Sequence, residues 1–329
     1  MAEAIRGDLP PDVADSSDAA TALRKRVTLG LVTLGAALMV LVVAVLFQWL
    51  AAGPQSVPPG TDHFGGIKLL LLRALEWGQF AVFLALLGWF VIKPAVERRS
   101  MGFDGLLILA SFAMNIWDPL DNYFVFAFQY NANFINLGSW GGFIPGWQGD
   151  APELWAVPLG FIFGCYTWSW FAAVRLGSYV LHRLSESQRA WPRWIQYLVV
   201  YLVAAAQCAV SEVVFMRLGH WVYPTTVPGF TLWEGQYAWP WFNPFLYGLT
   251  WLALIWLRET AMNNREGLSV IERGIDRLPV CRWQQTAMRF LSIFSFSSVV
   301  YILTYFLPFN LIMMHGTLNT HLPSYFPVP

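Results

Sequence analysis

"VTLGLVTLGAALMVLVVAVLFQWLA", residues 27–51, runs for 25 residues without a charge and follows directly on Arg24-Lys25-Arg26. A helix needs about 20 apolar residues to cross a bilayer core, and the core of a signal peptide ends at roughly 15. No convincing cleavage site follows, so the stretch reads as a retained membrane span. Residues 1–25 ahead of it are polar and rich in Asp, Pro and Ala, which reads as a disordered tail. Six further apolar stretches of similar kind cover 67–92, 103–117, 154–174, 194–216, 241–257 and 288–309. The third is short unless it continues past Pro119.

Composition agrees. Of the 329 residues 57% are hydrophobic and 12% charged, half the charged fraction of about a quarter found in soluble domains. Mean hydropathy is +0.48. The 18 Trp and 25 Phe suit interfacial belts and an aromatic-lined cavity. Net charge is zero and there is no long basic run, so nucleic acid is not an expected partner. Cys165 and Cys208 fall in apolar runs and Cys281 in a basic loop, which forms no disulfide framework.

Of the 20 Lys and Arg, all but Lys68, Arg73 and Arg217 fall before span one or after spans two, four and six. The positive-inside rule then sets the N-terminus in the cytoplasm and the C-terminus outside. The expected fold is an all-α, polytopic transmembrane bundle of about seven spans, N-in and C-out, in a bacterial cell membrane. The membrane domain covers 26–310, with a short outer tail at 311–329.

In that layout the polar outliers share one level. Glu76 lies about nine residues, or roughly 14 Å at helical rise, from the outer end of span two. Asp118 closes span three, Asp121 follows it, and Glu212 stands five residues before Arg217. An ionised carboxylate near the bilayer centre costs about 2.5–3.5 kcal/mol on insertion scales, so such groups usually face a bundle interior or a wet chamber. Each also has a structural reading. Asp118-Pro119 is a good helix start, with Asp118 as its cap, which leaves Asp121 or Asn122 to face a ligand. Glu76 is three residues after Arg73, the spacing of a helix-surface ion pair. Glu212 has Arg217 about 140° away around the helix, a poor partner, so it is the strongest candidate for chemistry. Asn115, Asn122, Gln129 and Asn136 recur every seven residues, which would put them on one helical face. Such amides either join helices or bind an oxygen-rich ligand.

Familiar chemistries are missing. The five His form no HxxxH or HExxH pattern, so no metal site is expected. The last span lacks a Lys for a retinal Schiff base. No Walker, GxGxxG or GxSxG motif has a credible context, and no cofactor is expected.

"WDPLDNYFVFAFQYNANFINLGSW" (117–140), "SEVVFMRLGHWVYPTTVPGFTLWEGQYAWP" (211–240) and "RFLSIFSFSSVVYILTYF" (289–306) together resemble the AveC-like spirocyclase family of bacterial membrane proteins. The likeness runs from about residue 66 to 309. Asp118-Pro119, Asn122, Tyr130-Asn131, Glu212, Arg217-x-Gly219 and the Tyr223-Pro224 loop carry it. The resemblance implies a dehydrative closure of a dihydroxyketone to a spiroketal, with or without a separate dehydration, on a polyketide or lipid-like substrate. On that reading Glu212, Asp121, Asp118 and Glu76 supply acid–base chemistry. Asn122, Tyr130, Asn131, Trp140, Arg217 and Tyr223 bind the substrate. The expected partners are a hydrophobic small molecule and membrane lipid. The rival reading is a non-catalytic binder or transporter of an amphipathic lipid or isoprenoid, which needs the same chamber but no proton transfer. A third reading is a purely structural membrane partner.

Overall fold

The computed structural model describes residues 11–187, 191–234 and 238–329; the first ten residues of the expected tail lie outside these. The chain is mostly helical. Helix α1 is Pro11–Ala52. Helix α2, Ile67–Leu87, continues through a π turn at Gly88–Ile92 into Lys93–Val96. Helix α3, Phe103–Met114, tightens into a 3-10 segment over Asn115–Asn122. Helix α4, Thr167–Ser185, is entered through Leu159–Phe161 and a π turn at Ile162–Tyr166. Then come α5, Arg193–Arg217, and α6, Asn243–Met262. Helix α7, Arg282–Tyr301, runs through a π turn at Ile302–Phe306 into Leu307–Met313.

Four of these stretches are long and apolar enough to cross a membrane: Arg26–Ala52, Ile67–Val96, Arg193–Arg217 and Arg282–Met313. The segments expected at 103–117, 154–174 and 241–257 coincide with α3, α4 and α6, which fall short of that measure of length and apolarity. Rows of bare apolar side chains such as Val40, Val43, Phe47 and Leu50 on α1, and Leu70, Trp77 and Leu84 on α2, form the kind of surface that lipid or protein covers.

Helix α1 packs along α7, α3 against α7, and α5 along α6 and α4. Two glycines set close approaches. A Cβ on Gly35 would overlap the Leu291 carbonyl of α7, and one on Gly164 would press into the Gln79–Phe80 backbone of α2. At one end the loops fold on each other as a cap of three short antiparallel ladders. These are β1 (Gln129–Tyr130) with β2 (Trp221–Val222), β3 (Thr225–Thr226) with β6 (Thr317–Leu318), and β4 (Thr231–Leu232) with β5 (Trp239–Pro240). The C-terminal segment closes the cap, with Ala132 N–H donating to the Tyr325 carbonyl and the Ser324 hydroxyl accepting from Thr61 and Asp62 N–H.

Residues 115–136 depart from the expectation of helix. No helix starts at Asp118, which sits inside the 3-10 continuation of α3 and makes no capping bond to backbone. After Asn122 the chain leaves the helix altogether, so the seven-residue amide period marks no helical face. The amides hold non-helical backbone instead. Asn122 Oδ1 accepts from Ala127 and Phe128 N–H while its Nδ2 donates to the Phe128 carbonyl. Asn136 exchanges hydrogen bonds with Val57. Gln129 donates to the Leu154 carbonyl from its strand. Asn115, still on the helix side, donates to Thr167 Oγ1.

Candidate functional site

Helices α4, α5, α6 and α7 and the 3-10 segment enclose a cavity of about 650 Å³, beneath the loop cap. Its walls are largely aromatic, with Phe128, Trp221, Tyr247 and Trp251 among them. Two carboxyls face it, Asp121 and Glu212. A cavity of this size and lining accommodates a medium-sized organic ligand.

Glu212 is buried on α5. Its Oε1 accepts from the Tyr223 hydroxyl at 2.7 Å and from Asn243 Nδ2, and its Oε2 from Trp239 Nε1 at 2.9 Å. Asn243 Nδ2 also lies 3.0 Å from the Tyr223 hydroxyl, while Asn243 Oδ1 is buried without a hydrogen-bond partner among the described residues. The partners of Glu212 among the described residues are thus all neutral donors, which fix its direction without supplying a cation.

The two aspartates lie past the third helix, and both are buried. The Tyr301 hydroxyl donates to Asp121 Oδ1 at 3.5 Å, and Tyr305 is a second hydroxyl partner. Asp118 Oδ1 accepts from the Tyr130 hydroxyl at 2.8 Å, and the Tyr130 and Tyr166 hydroxyls are 2.7 Å apart. Asp118 Oδ2 is buried with no partner among the described residues, beside a void of about 20 Å³, room for about one water. Burial pushes the Asp118 carboxyl up to about 7, only partly offset by the Tyr130 hydrogen bond. Burial also raises Asp121 well above the ordinary range, and the charge of Asp118 adds to that rise. Asp118 does not itself line the main cavity; Tyr166 does. The chain Asp118–Tyr130–Tyr166 therefore joins a carboxyl outside the chamber to a hydroxyl on its wall.

Three expected acids thus gather here and the fourth does not. Glu76 pairs with Arg73 at 2.7 Å, accepts from Ile135 N–H at 3.0 Å, and lines a separate apolar pocket of about 480 Å³ between α2 and the Leu159 region. It is displaced because depth along a helix says nothing about which side of the helix faces the chamber. Of the six expected binding residues only Tyr223 lines the cavity. Tyr130 acts one bond back from it. Asn122 is occupied by its own loop, as described. Asn131 donates to the Gly219 carbonyl and accepts from Asn133. Trp140 is buried against Trp49 and donates to the Ile116 carbonyl. The Arg217 guanidinium lies 5.0 Å over the Trp233 ring, which stacks on Trp239, the indole bonded to Glu212.

Sequence reasoning missed Tyr166, Trp239, Asn243, Tyr301 and Tyr305. Asn243-Pro244 carried a signal, but it reads as an ordinary helix start. His220, which follows α5, makes no acid of its own: burial holds its ring down at about 4, despite a hydrogen bond to the Phe215 carbonyl.

A family model described as "Spirocyclase AveC-like" matches residues 97–328. The match begins after α2, so it includes Asp118, Asp121 and Glu212 and excludes Glu76. No curated protein and no solved structure matches the chain.

Proposed function

Because the chain belongs to the AveC-like spirocyclase family, we propose that it catalyses an acid-type dehydrative cyclisation of a largely apolar, hydroxylated ketone in the chamber beneath the loop cap. The observation that carries this reading is the meeting of Asp121, Glu212 and the Asp118–Tyr130–Tyr166 chain around one aromatic cavity, each carboxyl held by neutral donors.

In the proposed reaction one substrate hydroxyl adds to the ketone carbon to give a hemiketal. Glu212 then donates its proton to the hemiketal hydroxyl, the C–O bond breaks, and water leaves an oxocarbenium ion. The second hydroxyl attacks that carbon and its proton passes to a carboxylate, so a spiroketal forms with net loss of one water. The Glu212 carboxylate left by the first step is that base, Asp121 on the same cavity keeps its proton and hydrogen-bonds a substrate oxygen, and the faces of Phe128, Trp221 and Tyr247 shield the cation. Asp118 acts through Tyr130 and Tyr166 as a proton store. Positioned acid–base groups of this kind contribute about 10²–10⁴-fold each.

The finer placement belongs to the same proposal: seven spans in a bacterial cell membrane, N-terminus in the cytoplasm and cap outside. An impermeant maleimide on intact cells tests it. Asp150→Cys in the cap should be modified and the exposed native Cys281 should not; the reverse pattern overturns the orientation.

For the reaction, metabolites of a strain lacking the gene are compared with those of its parent. An accumulated precursor one water heavier than the parent's product supports the cyclase. Unchanged chemistry with an altered distribution of a lipid between membrane and medium favours a carrier instead.

A further inference from the structure

The cavity does not stay inside the bundle. Along α5 its lining crosses three successive faces of the helix: buried Cys208 and Glu212, half-buried Gln207 and Ser211, then exposed Ala206, Val210 and Val214. Val210 is 65% exposed and Val214 48%. These last residues continue an apolar row of bare side chains on the same helix, Trp194, Leu198 and Leu202, spaced four apart and opposite the buried row that carries Glu212. Arg193–Arg217 is itself one of the stretches apolar enough to cross a membrane. On the facing side the mouth is bounded by Trp168 and Ser169 of α4 and Gln79 of α2, with the Trp168 indole donating to Gln79 Oε1. Toward the cap the chamber is closed by the loop residues Phe128, Trp221 and Tyr223.

We propose that this opening between α4 and α5 is a lateral portal, through which a lipid-dissolved substrate reaches the carboxyls without passing through water. The lining sets the substrate class. A molecule that rests against Ala206, Val210 and Val214 is mostly hydrocarbon. Gln207 and Ser211, midway along the path, offer hydrogen bonds to a few hydroxyl or carbonyl oxygens as these leave the lipid. Among the described residues the mouth itself presents no charged side chain to a charged substrate. The inference rests on the proposed function only in taking the chamber to receive an organic substrate, and its test involves no turnover.

The full chain is reconstituted in phosphatidylcholine vesicles and irradiated with a bilayer-partitioning aryl diazirine, and the carbene adducts are mapped by mass spectrometry. Adducts are expected on Trp194 and Leu198 at the helix surface and also on Tyr223, Tyr247 and Tyr305 inside the chamber. Ala206→Trp and Val210→Trp, which place an indole in the mouth, should abolish the chamber adducts and keep those on Trp194 and Leu198; the surface adducts report that each variant is folded and inserted. A charged, water-soluble diazirine should leave the chamber unlabelled. Surface adducts without chamber adducts in the unaltered protein overturn the portal. So do chamber adducts that survive both plugs, or chamber labelling by the water-soluble probe. A loss of spiroketal formation with the labelling pattern intact would strike the proposed reaction and leave the portal standing.

Discussion

At the end of the bundle away from the cap, Asp104 accepts from Arg258 Nε at 2.8 Å and Nη2 at 3.1 Å and from Arg175 Nη1 at 3.0 Å, while Glu272 accepts from Arg289 Nε at 2.8 Å. Glu272 is buried and Asp104 partly so; at the cap end Asp118, Asp121 and Glu212 are buried, and their partners are phenols, an indole and an amide. The two groups of acids differ in company more than in burial. A guanidinium pairs with a carboxylate in a fixed geometry and makes both part of the frame. A neutral donor aims a carboxyl without dictating its charge, which is what a group that must both give and take a proton requires. Counting buried acids would have treated the two ends alike; asking what each one touches separates them.

The contrast between the two ends is most exposed at Glu212. Glu212→Gln should lower kcat by about 10²–10⁴-fold while substrate binding and the melting temperature stay close to those of the parent. Folding is expected to survive because the unpartnered Asn243 Oδ1 can turn to accept from the new amide. Trp239 can still donate to the remaining oxygen. Full turnover in this variant would move the role of acid to Asp121.

At the paired end the outcome should invert. Arg258→Met leaves the partly exposed Asp104 with Arg175 as its remaining arginine; removing one member of a fully buried pair costs about 3–5 kcal/mol, and a smaller loss is expected here. Thermal unfolding in detergent should show that loss, with the specific activity of the protein that remains folded unchanged. A stable but inactive Arg258→Met protein would mean that the arginine-paired end takes part in the reaction and that partner type does not separate the two roles.

A smaller effect sharpens the cap end. Tyr166→Phe cuts the chain from Asp118 to the chamber but keeps the ring, so turnover should fall by no more than about 10²-fold. The solvent deuterium isotope effect should change with it. A purely structural role for the hydroxyl would shift stability and leave the isotope effect alone.

The smallest is a slope. Burial raises the Asp118 carboxyl from 3.8 to about 7, so the folded chain holds a proton that the unfolded chain gives up. Stability therefore declines as pH rises from the unfolded value through the folded one. Asp118→Asn cannot ionise and should flatten that decline in melting temperatures taken across the range. An unchanged slope would assign it to Asp121.

Much of the fold was legible because lipid leaves a coarse mark. A charge-free stretch as long as residues 27–51 is too apolar to lie bare in water and long enough to cross a bilayer. Within the site, Asp118, Asp121 and Glu212 stood out because an acid in an apolar run is costly unless it has a task. The rest was hidden for two reasons. Side chains such as Tyr166, Trp239, Tyr301 and Tyr305 each bring a single polar atom from a separate segment, in a chain where aromatic residues are everywhere, so nothing local distinguishes them. Local patterns also misled where the backbone changed type. The seven-residue amide spacing suggests a helical face, yet the chain turns away after Asn122, where that side chain takes up the N–H groups of Ala127 and Phe128. Asp118-Pro119 has the form of a helix start and lies in the tightened end of one.

The indole of Trp239 joins the loop cap to the geometry of Glu212. It sits on the short β4–β5 hairpin, stacks on Trp233, and donates to Glu212 Oε2. Any movement that lifts this hairpin also withdraws a donor from the carboxyl. The seating of the hairpin and the aim of the Glu212 carboxyl are thus interlocked, as a latch is with its catch. Residues of the hairpin therefore do not vary independently of Glu212: a change that reshapes it also moves a donor of that carboxyl, and tolerance along this line calls for paired changes at both places.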